Sequence, residues 1–189
     1  MKVVRPETSE PTGGTRTRTL TQTFMALLPT SREYVDGAAI VVLAAIAFMG
    51  FYNTFDSLQF FPVALLGVLL GMFASRLAFV LRWHWLLVVP LVVAEFFLLG
   101  SLLAFRDEAA FSALPTLASL QSLAQLLIGG WKDLLTTLPP VAGDGPYVGL
   151  PYVMGLVYGA VALPAARSRR PFLALLPPAG LLAAVILLG

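Results

Sequence analysis

A single carboxylate within a long apolar run is the residue of this sequence with the clearest chemical potential. Glu95 is the only charged side chain in residues 83–105. A carboxylate at the bilayer centre costs about 2.5–3.5 kcal/mol on insertion scales, so such groups face a bundle interior or a water-filled cavity. Glu95 is therefore either a proton or ion relay or polar substrate contact, or a packing contact to a Ser, Tyr or Arg side chain of a neighbouring helix. We favour the packing contact.

Arg76 is the basic residue considered as a partner for Glu95. At a rise of 1.5 Å per helical residue, Arg76 lies about 10 Å closer to the inner membrane face than Glu95. A long basic side chain near a membrane face extends readily to the lipid headgroups. We therefore expect Arg76 to contact the inner headgroups, and pairing with Glu95 is the alternative.

Two pairs of glycines at four-residue spacing lie in apolar runs. Gly67 and Gly71 form the first pair, and Gly155 and Gly159 form the second. Small residues at this spacing let two helix backbones approach closely within a membrane. The pairs predict close helix packing, and we favour packing within one bundle over a dimer interface.

The composition places the chain in a membrane. Of 189 residues, 58% are hydrophobic and 12% are charged, and the mean hydropathy is +0.86, whereas a typical soluble domain is about 25% charged. The net charge is only +2, and the basic residues cluster beside apolar runs, which indicates membrane orientation rather than nucleic-acid binding. There is no cysteine and one histidine, which excludes disulfides, thiolate metal sites and a cysteine nucleophile. We expect no cofactor.

Five runs have the length of a membrane-spanning helix, about 20 mostly apolar residues. They cover residues 37–55, 57–81, 83–105, 145–166 and 171–189. Each is expected to be helical, because lipid offers no partner for a free backbone amide or carbonyl. Residues 1–33 are polar and rich in Thr and Arg, which predicts a disordered cytoplasmic tail. The membrane domain would then cover residues 34–189.

The stretch 111–138 has a different pattern. Its leucines recur at three- and four-residue spacing with polar residues between them, which favours an amphipathic helix at an interface over a sixth span. Pro115 fits a first helical turn, and Gly129-Gly130 fits a stop. The predicted fold is thus all-α, a polytopic membrane bundle of about five transmembrane helices plus one extracytoplasmic interfacial amphipathic helix near residues 114–128.

Basic residues indicate the orientation of this bundle. With five spans and a cytoplasmic N-terminus, ten basic residues lie on the inner side and two on the outer side, which is a strong positive-inside bias. The inner residues are Lys2, Arg5, Arg16, Arg18, Arg32, Arg76, Arg82, Arg167, Arg169 and Arg170, and the outer ones are Arg106 and Lys132. Residue 189 would then be extracytoplasmic, and the apolar ending predicts that the chain is the front part of a longer protein.

The segment GWKDLLTTLPP, which begins at Gly130, carries a family resemblance. Together with VGLPYVMGLVYGA and the ending ARSRRPFLALLPPAGLLAAVILLG, it resembles the N-terminal membrane domain of actinobacterial transglutaminase-like membrane proteins. The match is clearest over residues 131–189. In that family the membrane domain precedes an extracytoplasmic domain with a papain-like Cys-His-Asp centre. This chain contains no cysteine, so that chemistry cannot be assigned to its residues.

The resemblance implies a bacterial inner-membrane location and an envelope-related role. The expected function is a non-catalytic anchor and assembly domain of a transglutaminase-like envelope protein, whose catalytic domain lies outside this chain. The expected partners are the lipid bilayer and either other envelope membrane proteins or further copies of the chain. The alternative is a small transporter or channel that uses Glu95. An intramembrane enzyme is the weakest hypothesis, because no nucleophile–base set lies at membrane depth.

Overall fold

The computed structural model describes residues 31–104, 117–136, 140–142 and 146–188. Within these ranges the chain is an all-α bundle, as the sequence predicted. The helices are α1 (Ser31–Phe48), α2 (Phe60–Val80), α3 (Val88–Ala104), α4 (Leu117–Thr136), α5 (Gly149–Ala166) and α6 (Leu176–Leu188). Short 3-10 turns at Met49–Asn53, Trp85–Leu87, Pro146–Val148 and Pro171–Ala174 adjoin them.

The surface of the bundle is apolar, as expected for a protein surrounded by lipid. Among the described residues, three helical stretches are long and apolar enough to cross a membrane: Glu33–Asn53, Phe60–Val80 and Gly149–Ala166. Val88–Ser101 and Phe172–Leu188 are shorter apolar helices. Large apolar side chains point outward, and Ile186 and Leu187 of α6 are 72% and 75% exposed. A water-soluble protein would not expose so large an apolar surface, so the chain is a membrane protein.

The parallel pair α2 and α5 forms the centre of the bundle. Ala64 contacts Gly155 near the start of both helices, and Gly71 contacts Ala160 further along both. Helices α1, α3 and α6 run in the opposite direction. Glu33 at the start of α1 reaches Arg76 late in α2, and Gly100 late in α3 lies beside Tyr152 early in α5. Val185 late in α6 contacts Gly50, just after α1.

A phenylalanine cluster closes the connection from α1 to α2. Phe51 stands edge-on to both Phe55 and Phe60, with ring centroids 5.9 and 6.3 Å apart. All three side chains are buried. Val141 joins the same end of the bundle, since its amide donates to the Thr54 carbonyl at 2.8 Å and its carbonyl accepts from the Asp56 amide at 3.0 Å. The connection between α1 and α2 and the segment before α5 therefore lie at one end.

Helix α4 crosses that end, which we call the α4 end. Leu123 and Leu126 both lie against Gly149, and Gly130 lies against Leu150. Leu123 also packs in one buried cluster with residues further along α5. Unlike α2 and α5, α4 is not among the described helices that are long and apolar enough to cross a membrane. The helix predicted near 114–128 is present in this position, although residues 114–116 lie outside the described ranges.

The predicted stop at Gly129-Gly130 is wrong, because α4 continues through both glycines to Thr136. Gly130 is buried between Leu126 and Leu150. Packing against α5 therefore stabilises helical backbone that the low helix propensity of glycine disfavours. The apolar stripe predicted for this helix is buried only in part, since its member Leu123 is fully buried and its member Leu117 is 78% exposed.

The boundaries of the spans shift by a few residues from the predicted ones. The largest shift is at α1, which begins at Ser31 rather than near residue 37. Glu33, which was assigned to the disordered tail, thus belongs to the first turn of a helix. The rest of the predicted tail, residues 1–30, lies outside the described residues.

Candidate functional site

The glycines of α2 and α5 meet each other in one reciprocal interface. Cβ atoms on Gly67 and Gly71 would collide with the backbone carbonyl oxygens of Tyr152 and Leu156. Cβ atoms on Gly155 and Gly159 would collide with those of Ala64 and Val68.

Each of the four glycines therefore lies against the backbone of the partner helix rather than against a side chain. Only a residue without a Cβ fits these positions, because the opposing backbone cannot move without separating the helices. The predicted packing role of both glycine pairs matches this arrangement, in which each pair is the partner of the other.

Surrounding contacts complete this interface. Tyr152 and Leu156 are fully buried, and Phe96 of α3 stacks on the Tyr152 ring at 6.2 Å. The Tyr158 hydroxyl donates to the Ile40 carbonyl of α1 at 3.1 Å. Helix α5 thus contacts α1, α2 and α3 through its own buried side chains. Since α5 also carries the closest backbone contact, it is the element on which the bundle is assembled.

An ion-pair cluster lies at the opposite end of the bundle, which we call the Glu33 end. The Glu33 carboxylate accepts from Arg76 Nη1 at 2.9 Å and from Arg167 Nη2 at 2.6 Å. Arg167 also lies over the Phe79 ring, with its guanidinium carbon 5.1 Å from the centroid, a favourable cation–π geometry. One carboxylate thereby connects the start of α1, the last turns of α2 and the residue after α5.

Arg76 and Glu95 do not form a pair, because Arg76 contacts Glu33 instead. The sequence predicted that Arg76 and Glu95 lie at different levels along the helix axes. It did not show that α1 would bring Glu33 to Arg76. The only available signal was weak: an acidic residue in the polar stretch just before an apolar run, a position that favours the first turn of a helix.

Glu95 lies on α3 beside Tyr152 of α5. The Tyr152 hydroxyl donates to the backbone carbonyl of Glu95 at 3.3 Å. The carboxylate itself is not the acceptor of that bond. Its Oε2 atom is buried, and no hydrogen-bond partner for it lies among the described residues. The Glu95 backbone therefore contacts a tyrosine of a neighbouring helix, whereas the Tyr152 hydroxyl does not make the packing contact that was predicted for the carboxylate.

The described residues contain no group of three or more His, Cys, Asp or Glu side chains placed to hold a metal ion. Within the described bundle the charged groups already named are the Glu33 ion pairs, the Glu95 carboxyl group and the basic residues of the Glu33 end. The comparisons with known proteins add no family: no family model, curated protein or solved structure matches the chain.

Proposed function

We propose that this chain is a non-catalytic membrane anchor and assembly domain. The observation that supports this function is the backbone contact between α2 and α5. A transport path through the centre of a bundle needs space between its central helices, whereas here two helix backbones touch over successive turns from Gly67 to Gly71. Such an interface suits a rigid support and offers no room for a solute.

The orientation proposed for the anchor places the Glu33 end in the cytoplasm and the α4 end outside. Two observations support it. The described basic residues of the Glu33 end are Arg76, Arg82, Arg167, Arg169 and Arg170, whereas Lys132 lies on α4. An excess of basic residues is typical of the cytoplasmic side. Helix α4, with exposed Gln121, Ser122 and Gln125, suits the water-facing boundary of the bilayer.

We further propose that the anchored protein is a transglutaminase-like protein of the bacterial cell envelope. This rests on the resemblance over residues 131–189. In that family the catalytic domain is extracytoplasmic, and α6 ends at the α4 end of the bundle, beside Gly50. In the proposed orientation a domain connected after α6 would be outside the cell. The same proposal includes the expected partners, which are either other envelope membrane proteins or further copies of the chain.

Two experiments test the anchor function. Reporter fusions at residue 189 determine the side on which the chain ends: alkaline phosphatase is active only outside the cytoplasm, and green fluorescent protein from the general secretion route fluoresces only inside. We expect an active phosphatase fusion and a dark fluorescent one. The gene sequence beyond codon 189 tests the family. A Cys-His-Asp domain there would support it, and a stop codon at that position would count against it.

A small proton-conducting transporter or channel is the second candidate, and the buried Oε2 of Glu95 favours it. The purified protein is reconstituted in liposomes that contain a pH-sensitive dye, and a potassium gradient with valinomycin drives proton entry. Acidification that the wild type supports and Glu95→Gln abolishes would establish this function. Equal dye signals from wild type, Glu95→Gln and empty liposomes would leave the anchor function as the better account.

A further inference from the structure

An apolar groove opens on the side of the bundle between α2, α3 and α5. Its volume is about 550 Å³, and eleven of the twelve residues that line it are apolar. Ser75, Ala78 and Ala160 are buried, so small side chains form its floor. Its walls are larger and exposed, and include Phe79, Val93 and Val161. The groove, which we call the slot, therefore has a floor of small side chains between larger, exposed walls.

The shape of this slot decides between two kinds of occupant. A helix of another protein is about 10 Å wide, and close helix packing in membranes needs small residues on the contacting surface. Here the exposed surface is formed by valine and aromatic side chains rather than by small residues. A hydrocarbon chain is thin and flexible, and it can fill the slot along its length.

Arginines stand at the Glu33 end of the slot. Arg167 lies over the ring of Phe79, a wall residue, at 5.1 Å. Arg82 immediately precedes Trp83, another wall residue. The described basic side chains of this end are Arg76, Arg82, Arg167, Arg169 and Arg170, and the described acidic ones are Glu33 and Asp36. Because Glu33 is shared between Arg76 and Arg167, the region keeps an excess of positive charge.

The backbone at Arg82 gives an independent observation. Arg82 has a φ of 54° and is the only described non-glycine residue in the left-handed region. Its amide donates to the Phe79 carbonyl and the Trp83 amide donates to the Ala78 carbonyl. This is the Schellman pattern, whose left-handed position is usually glycine. Here the turn directs Trp83 into the wall of the slot while an arginine, rather than glycine, occupies the strained position.

We propose that this slot is a binding site for an anionic phospholipid, with one acyl chain between α3 and α5 and the phosphate at Arg82 and Arg167. The slot matches the hydrocarbon chain, and the arginines match the headgroup. Basic pockets between membrane helices select anionic headgroups by this combination. The proposal is independent of the protein that the anchor holds and of the orientation of the bundle.

Tryptophan quenching by brominated lipids tests the site directly. The chain has three tryptophans, and the double variant Trp85→Phe/Trp131→Phe leaves Trp83 as the only fluorophore. This variant is reconstituted in phosphatidylcholine bilayers that contain 20 mole percent of brominated phosphatidylglycerol or of brominated phosphatidylcholine. We expect brominated phosphatidylglycerol to quench Trp83 at least twofold more strongly. Equal quenching by the two lipids would overturn the proposal.

Variants separate headgroup binding from folding. Arg82→Gly removes the charge and relieves the left-handed backbone, so the fold is retained while the preference for phosphatidylglycerol falls. Lys132→Gln on α4 makes the same charge change at the other end of the bundle and should leave the preference unchanged. If both variants lose the preference equally, the positive charge of the whole protein attracts the anionic lipid and no specific site binds it. That result would overturn the proposal.

Filling the slot provides a second test. Val93 is 47% exposed and lines the slot, whereas Leu98 of the same helix is 54% exposed and is not among the lining residues. The measurement is the melting temperature of the protein in phosphatidylglycerol compared with phosphatidylcholine. Val93→Trp should lose the increase in melting temperature that phosphatidylglycerol gives over phosphatidylcholine. Leu98→Trp should keep it. If both keep it, or if a cysteine at position 93 cross-links two copies in high yield, a lipid does not occupy the slot.

Discussion

Gly71 of α2 and Leu156 of α5 are in backbone contact. A Cβ on Gly71 would collide with the Leu156 carbonyl oxygen and would lie only 2.7 Å from the Ala160 amide nitrogen. On the other side of the same interface, Gly159 of α5 lies against the Val68 carbonyl. Two helices with residues 81–148 between them in sequence are therefore held together through their main chains.

Replacement of Gly71 by alanine should destabilise the bundle. The added methyl group meets backbone atoms that cannot rotate away, and overpacking of this kind typically costs about 1–3 kcal/mol. The expected result is an unfolding free energy lower by that amount, measured by circular dichroism during denaturation in mixed micelles. Gly180→Ala on α6 is the matched control, because nothing lies within 4 Å of its Cβ position.

The control should be neutral or slightly stabilising, since alanine favours a helix over glycine by up to about 1 kcal/mol. The sign of the difference between the two alanine variants is therefore the decisive result. If Gly71→Ala is as stable as Gly180→Ala, the backbone contact between α2 and α5 does not exist in the folded protein.

The Glu33 carboxylate should contribute to stability through both of its arginines. Glu33→Gln removes the charge that Arg76 and Arg167 share, and leaves two cations near one another at a partly buried position. We expect a loss of about 1–3 kcal/mol, as found when a hydrogen bond to a charged group is removed. Asp36→Asn, one turn further along α1, makes the same change in charge and should cost less.

A double-mutant cycle assigns that loss to the ion pair. In the Arg167→Gln background, Glu33→Gln should cost less than in the wild type, because one of the two partners is already absent. Strictly additive effects of the two substitutions would show that Glu33 acts independently of Arg167.

The sequence predicted the glycine pairs as packing positions but not the identity of their partners. The spacing of Gly67 and Gly71 shows only that one face of α2 is free of side chains. Which helix approaches that face depends on the direction and order of all the spans. Gly155 and Gly159 provide a second such face on a parallel helix, and the structure brings the two faces together.

Glu33 and Gly130 show why other features could not be predicted. Glu33 belongs to a polar segment, so the sequence did not assign it to a helix. In the structure it lies in the first turn of α1, and its carboxylate contacts α2 and the residue after α5. Gly130 has low helix propensity, and only its burial against Leu126 and Leu150 explains the helix there. At Gly130 packing thus overrules the local preference of the residue, and at Glu33 the partners of the carboxylate come from distant parts of the chain. Arg76 likewise has its ion-pair partner far away in the chain, 43 positions from it in sequence.

Cysteine labelling tests the proposed orientation. The chain has no cysteine, so each single variant has one reactive thiol. Ala142→Cys lies at the α4 end and Ser168→Cys at the Glu33 end. A membrane-impermeant maleimide should label Ala142→Cys in intact cells and Ser168→Cys only after permeabilisation. The reverse pattern would invert the orientation, and labelling of both from one side would contradict the placement of these residues at opposite ends.

Removal of the Glu95 carboxyl group should not weaken the fold. Its Oε2 atom is buried, and no described residue provides a hydrogen bond to it, while the Tyr152 hydroxyl donates to the Glu95 backbone carbonyl. Burial of a polar group without a partner costs about 1–3 kcal/mol by mutational data. Glu95→Leu should therefore raise the unfolding free energy by up to that amount in detergent micelles. A clear loss of stability would mean that the carboxylate has a structural partner, and would assign Glu95 to packing through its side chain.

Tyr158 should join α5 to α1 through its hydroxyl group. The side chain is 5% exposed, and the hydroxyl donates to the Ile40 carbonyl at 3.1 Å. Tyr158→Phe keeps the ring and removes only this bond, and hydrogen bonds between membrane helices contribute about 0.6 kcal/mol on average and at most about 1.7 kcal/mol. We expect a loss within that range in the same denaturation assay. Tyr52→Phe removes a hydroxyl from a side chain that is 61% exposed and should have no measurable effect. Equal stabilities of the two variants would show that the bond to Ile40 makes no net contribution to stability.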